Sequence, residues 1–137
     1  MADFDKAKAG LSQETLASIK GHAEDIPGFF ADLPPIPGAV EAFHELAGLY
    51  DVYILSTAPW QNVSAWSDKR VWVEKVLGEK AEKRLILSHR KDLSIGNFLV
   101  DDRAVRGASE FKGQHLQFGT APWTDWAAIL PFLCQQA

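Results

Sequence analysis

The sequence predicts an α/β domain built on a mostly parallel sheet with helices on both faces. Three observations point there. From Pro37 onward, stretches with apolar residues three and four apart alternate with short β-rich runs. Two of those runs, around Ile54 and around Leu99, are apolar throughout, as strands buried on both faces are. The second run ends in Asp101-Asp102-Arg103, at the strand end where open α/β sheets bind ligands.

The bulk properties bound the answer. A chain of 137 residues that is 47% hydrophobic suits one core. With 14 Lys plus Arg against 18 Asp plus Glu, the net charge is −4, which argues against a nucleic-acid polymer as partner. A single cysteine, Cys134, excludes an internal disulfide and a cysteine-built zinc site, and it reads as a small buried hydrophobe. No apolar stretch approaches the roughly 20 residues that span a bilayer, and the first residues lack a signal-peptide apolar region. The expectation is a cytoplasmic protein that does not engage a membrane.

In chain order, Leu11, Leu16 and Ile19 share one helical face, with Ser12 as a candidate N-cap. The segment 26–38 holds four prolines and reads as a stiff connector in which Phe29 and Phe30 fill core or face a ligand. Val40, Phe43, Leu46, Ala47 and Leu49 then mark an amphipathic helix opened by Pro37. A buried strand follows over 51–56 and ends at Ser56-Thr57-Ala58-Pro59. Ser67 or Asp68 is a candidate cap for a helix from Lys69 to Leu77, stopped by Gly78. Lys80–Arg84 reads as a charged turn or short helix, and the strand 85–88 runs into the basic cluster His89-Arg90-Lys91. After Asp102, residues 103–113 show little periodicity, 115–118 alternate as a short strand, and 123–133 form a last helix capped by Thr120 or Thr124.

Parallel strands place their carboxyl ends on one edge, so Thr57, the Lys91 loop and Asp101-Asp102 converge although far apart in sequence. Singly, each fits a blander reading: a strand end, a solvated cation, a turn cap. Together they suit phosphate chemistry. A Thr hydroxyl donates to phosphate oxygens, Lys91 offsets charge on a transferring phosphoryl group, and the Asp pair offers hard oxygens to Mg²⁺.

In this order the three look like the second, third and fourth motifs of the haloacid dehalogenase (HAD) superfamily of phosphohydrolases. Within it the chain resembles the 5'(3')-deoxyribonucleotidases over nearly its whole length. The resemblance is carried by Pro27-Gly28-Phe29-Phe30 with Pro35-Ile36-Pro37-Gly38-Ala39-Val40, by Tyr53-Ile54-Leu55-Ser56-Thr57-Ala58-Pro59, by Asp68-Lys69-Arg70-Val71-Trp72-Val73-Glu74, by Leu87-Ser88-His89-Arg90-Lys91, by Leu99-Val100-Asp101-Asp102-Arg103, and by Phe118-Gly119 with Trp126.

The resemblance implies a Rossmann-like HAD fold, with residues 1–36 as a small helical cap and connector and 37–137 as the core. It implies that Thr57 and Ala58 bind the phosphoryl group, and that Lys91 stabilises it and an aspartyl-phosphate intermediate. Asp102, with Asp101 beside it, would complete a Mg²⁺ site. Lys69 would approach the substrate phosphate, and Phe29 or Phe30 would lie near the base.

One departure stands out. In the family an apolar strand ending in Asp-x-Asp-Gly-Val precedes a segment similar to Ala2-Asp3-Phe4-Asp5-Lys6-Ala7, its first acid the nucleophile and its second the general acid/base. The sequence in hand starts beyond both, and Asp3-Phe4-Asp5 has too little before it to serve instead. By family topology that strand lies centrally, between those ending at Thr57 and Asp101. The expectation is therefore a nucleoside-monophosphate phosphohydrolase scaffold, inactive as given, with altered strand pairing or a homo-oligomer closing the gap. The alternative is a non-catalytic nucleotide- or phosphate-binding or structural module on the same fold.

Overall fold

The computed structural model describes residues 27–137. The helix expected over residues 11–24 and the Asp3-Phe4-Asp5 stretch lie outside them.

The first helix, α1 (Ala39–Ala47), follows Gly38, whose φ of 82° turns the chain from the proline segment into the helix. Its Phe43 and Leu46 are buried, as their spacing predicts; Ala42, outside that pattern, is buried as well, while Leu49 lies past the helix end and is exposed. Strand β1 (Ile54–Ser56) covers only the end of the apolar run. Helix α2 (Val63–Leu77) starts six residues before the sequence suggests. Its boundary residue is Asn62, not Ser67 or Asp68. The Asn62 amide donates to Pro59 O at 3.2 Å, and its side-chain oxygen accepts from Ser64 Oγ at 2.8 Å. Gly78, at φ 75°, ends α2 as expected.

A 3₁₀ turn over Gly78–Ala81 leads to β2 (Leu85–Leu87), and another over Lys91–Leu93 leads to β3 (Phe98–Asp101). The stretch 103–113 is loop except for a 3₁₀ turn at Ala108–Glu110, then come β4 (Gln114–Gln117) and α3 (Trp126–Gln136). Here the expected threonine caps give way to Asp125, whose carboxylate accepts from Ala128 N at 3.0 Å. Cys134, on α3, is half-buried, and its thiol donates to Glu45 Oε1 at 3.6 Å.

The mixed α/β architecture with parallel strands is the one the sequence predicts. The sheet is split between β1 and β3, where the sequence reading expects altered pairing. Among the described residues β1 pairs with β2 and β3 with β4, both parallel, and the two pairs are not joined by strand hydrogen bonds. Helix α1 links them through side chains. Phe43 packs with Val73, Leu77 and Ala81 against the β1–β2 side. One turn on, Leu46 packs with Leu116, Ile129 and Leu133 against the β3–β4 side, and Val52 touches both clusters.

Among the described residues no helix is long and apolar enough to cross a membrane.

Candidate active site

The parallel strands bring the ends of β1 and β3 and the Lys91 turn to one edge, as the sequence reading requires. They border a cavity of about 340 Å³ whose wall includes Ser56, Thr57, Lys69, Lys91, Asp101 and Asp102. Arg103 and Arg106 add two cations that sequence reasoning passed over as unpatterned loop, and Ile36, Phe118 and Trp126 supply an apolar side.

At its centre Lys91 Nζ donates to Asp101 Oδ2 in an ion pair whose side chains are 12% and 7% exposed. Asp101 Oδ1 accepts from Arg103 N at 3.0 Å. Burial by itself raises the Asp101 carboxyl, but the bonds from Lys91 and from the Arg103 amide outweigh it and hold the group below the usual carboxylate range.

The loop that leaves Asp101 returns to Lys91. Lys91 N donates to Arg106 O at 2.6 Å, and Gly107, at φ 84°, lies flat against the turn. A Cβ there would overlap Asp92 Oδ1 and come within 2.9 Å of Asp92 N and 3.0 Å of Lys91 N. Both halves of the ion pair are thus tied by one loop.

Lys69 reaches in from α2. Its Nζ donates to Ser56 Oγ at 2.8 Å and sits 4.3 Å from the centre of the Phe30 ring. Desolvation, then the charges of Lys91 and Arg103, lower its pKa to about 8. Four cations, Lys69, Lys91, Arg103 and Arg106, line the cavity against two carboxylates, Asp101 and Asp102, and this positive excess favours an anionic ligand.

Other expected groups are placed differently. Thr57 lines the cavity, but its hydroxyl proton goes to Ser88 O at 2.8 Å, so the oxygen faces a ligand as an acceptor. Ala58 is fully buried and does not reach the wall. Phe29 and Phe30 are half-buried, stand edge to face at 5.1 Å and join neither core cluster. Asp68 sits within α2, with Oδ2 buried and unpartnered.

For Mg²⁺ the described residues offer a partial donor set. Among them no three carboxylate, imidazole or thiolate groups converge, and Asp101 is committed to Lys91. The Asp102 side chain is 70% exposed, with Arg103 Nε 4.0 Å away. One or two carboxylates suffice where water and phosphate oxygens fill the other positions, so Asp102 fits as an anchor.

A profile of the 5' nucleotidase, deoxy (pyrimidine), cytosolic type C proteins matches residues 11–124. A candidate 5'(3')-deoxyribonucleotidase of Vibrio phage KVP40 is 45% identical over 136 residues, 99% of this chain and 80% of its own length. Another, of Bordetella bronchiseptica, is 37% identical, covering 92% of this chain and 76% of its own length. The human cytosolic-type 5'(3')-deoxyribonucleotidase is 38% identical over 107 residues, 75% of this chain and 53% of its own. The chain belongs to the cytosolic type C deoxypyrimidine 5' nucleotidase family of nucleotide phosphohydrolases.

Proposed function

We propose that this chain holds the phosphate of a deoxyribonucleoside monophosphate at the edge formed by Thr57, Lys69 and Lys91. The observation that carries this is the buried Lys91–Asp101 pair opening into the cavity beside Lys69. Lys91, fixed by Asp101, presents its remaining ammonium hydrogens to a phosphate oxygen, and Lys69 supplies a second positive charge. Asp102 would hold Mg²⁺, with Asp101, tied to Lys91, beside it, and the ion would supply positive charge to a phosphoryl oxygen. Phe29 and Phe30 lie in the described part, 27–36, of the segment 1–36 assigned to a cap, ahead of the core over 37–137. The cytoplasmic setting named for the human cytosolic-type relative suits a nucleotide substrate.

Hydrolysis through an aspartyl-phosphate needs an attacking carboxylate. Among the described residues Asp101 is neutralised by Lys91 and Asp102 faces solvent, so neither serves as nucleophile. From the described residues alone we expect a binding half-site with little or no turnover.

Calorimetric titration with dUMP and dTMP, with and without Mg²⁺, tests the binding, and phosphate release tests the turnover. Nucleotide binding without appreciable release is the expected result. Robust Mg²⁺-dependent release, abolished in Asp102→Asn, overturns the assignment of inactivity, and no binding under either condition overturns the site.

A further inference from the structure

Three aromatic side chains on the elements that border the cavity, outside its lining, take no part in the chemistry above. The rings of Trp60, Trp66 and His89 meet at centre-to-centre distances of 6.4 Å (Trp60–Trp66), 6.3 Å (Trp60–His89) and 6.1 Å (Trp66–His89). None belongs to either core cluster. Trp60 is 75% exposed. An indole left in water yet held by two neighbouring rings is poorly explained as core.

Each ring sits on an element that also carries one of the cavity-lining groups. Trp60 follows Thr57 by three residues, His89 precedes Lys91 by two, and Trp66 lies one helical turn before Lys69 on α2. The loops after β1 and β2 are locked together by Thr57 Oγ1 donating to Ser88 O and by Ser88 N donating to Ser56 O at 2.9 Å. The same three elements thus carry both the polar groups of the cavity and a cluster of three rings in mutual contact. A ligand with an anionic end and a flat apolar end matches both at once.

We propose that Trp60, backed by Trp66 and His89, is the stacking platform for the nucleobase of the nucleoside monophosphate. This rests on the phosphate-site reading above. Trp66 and His89 meet the Trp60 ring at interplanar angles of 82° and 66°, which fixes the indole while leaving most of it open. Phe30 is less suited, because Lys69 Nζ already sits over its ring. Since every base has a π-face, such a platform favours nucleotides over bare sugar phosphates without selecting among bases.

The test compares the full chain with Trp60→Ala and Trp60→Phe by calorimetric titration with dUMP, 2-deoxyribose 5-phosphate and inorganic phosphate. Trp60→Ala should weaken dUMP binding about tenfold or more. It should leave the two baseless ligands unchanged, and Trp60→Phe should restore most of the dUMP affinity. Because Trp60 is largely exposed, its replacement spares the core. Unchanged dUMP affinity in Trp60→Ala, an equal loss for all three ligands, or a wild-type chain that binds dUMP no better than deoxyribose 5-phosphate overturns the platform alone. A wild-type chain that binds none of the three overturns the phosphate site and the platform with it.

Discussion

Lys91 and Asp101 form a nearly buried ion pair joined on both sides to one loop, through Arg106 O and Arg103 N. Removing one partner strands the other charge, which costs about 3–5 kcal/mol in buried pairs. Lys91→Met and Asp101→Asn should each lose stability on that scale in urea unfolding, and the double substitution should lose less than the sum. The pH dependence has a definite sign. The folded Asp101 carboxyl lies below its unfolded value, so its stabilisation is full above the unfolded pKa and is lost as pH falls through the folded one. In Asp101→Asn that acid-side loss should shrink.

Lys69 behaves in the opposite sense. Its folded pKa of about 8 lies below the 10.5 of a free lysine, so the protonated form is penalised in the fold. The penalty is complete below pH 8 and is relieved as pH rises from there toward 10.5. Lys69→Met should therefore raise the melting temperature at neutral pH while weakening phosphate binding about tenfold to a hundredfold. Phosphate affinity of the unsubstituted chain should decline above pH 8, and the decline attributable to Lys69 should vanish in the variant.

Gly107 and Gly119 both have positive φ, 84° and 88°, but only Gly107 is packed against its surroundings. An added methyl at Gly119 meets nothing within 4 Å, so Gly119→Ala should cost only the backbone strain, about 1–2 kcal/mol. Gly107→Ala adds the overlap with Asp92 and should cost clearly more. It should also weaken phosphate binding, because the loop it displaces holds the Lys91 amide. Denaturation midpoints give the first comparison and calorimetry the second.

How much of this was legible in the sequence follows from which interactions are local. Periodicity identified α1, because its apolar stripe faces both core clusters. The start of α2 was misplaced because its first turns carry little apolar pattern. Their side chains include Trp66 near the site and Val63 in solvent, and the boundary residue Asn62 is buried. Asp125 was legible as a cap in principle, being an Asp three residues before Ala128, but the adjacent threonines masked it. Strand ends located Lys91 and Asp101 at one edge, yet their pairing is a tertiary fact. The approach of Gly107 to Asp92 joins loops 15 residues apart and leaves no periodic trace. The apolar runs marked the strands but could not say how the strands would pair.

That pairing leaves two edges facing away from their partners. Ile54 N donates to Arg84 O at 2.8 Å and Ser56 O accepts from Ser88 N, so the intervening Leu55 turns its N–H and C=O to the other side. On β3, Asn97 O accepts from Gln114 N and Asp101 O from Phe118 N, which turns Phe98 and Val100 outward in the same way. Among the described residues these groups have no strand partner. Unpaired edges exchange amide hydrogens readily and also invite another strand. In the monomer, Leu55 and Val100 amides should exchange roughly a hundredfold faster than those of Ile54 and Phe118. If the edges are closed by a second copy of the chain, protection of Leu55 and Val100 should instead rise with protein concentration while that of Ile54 stays constant. Protection that is high and independent of concentration would show that another segment of the same chain occupies the gap, and would refute the open-edge arrangement.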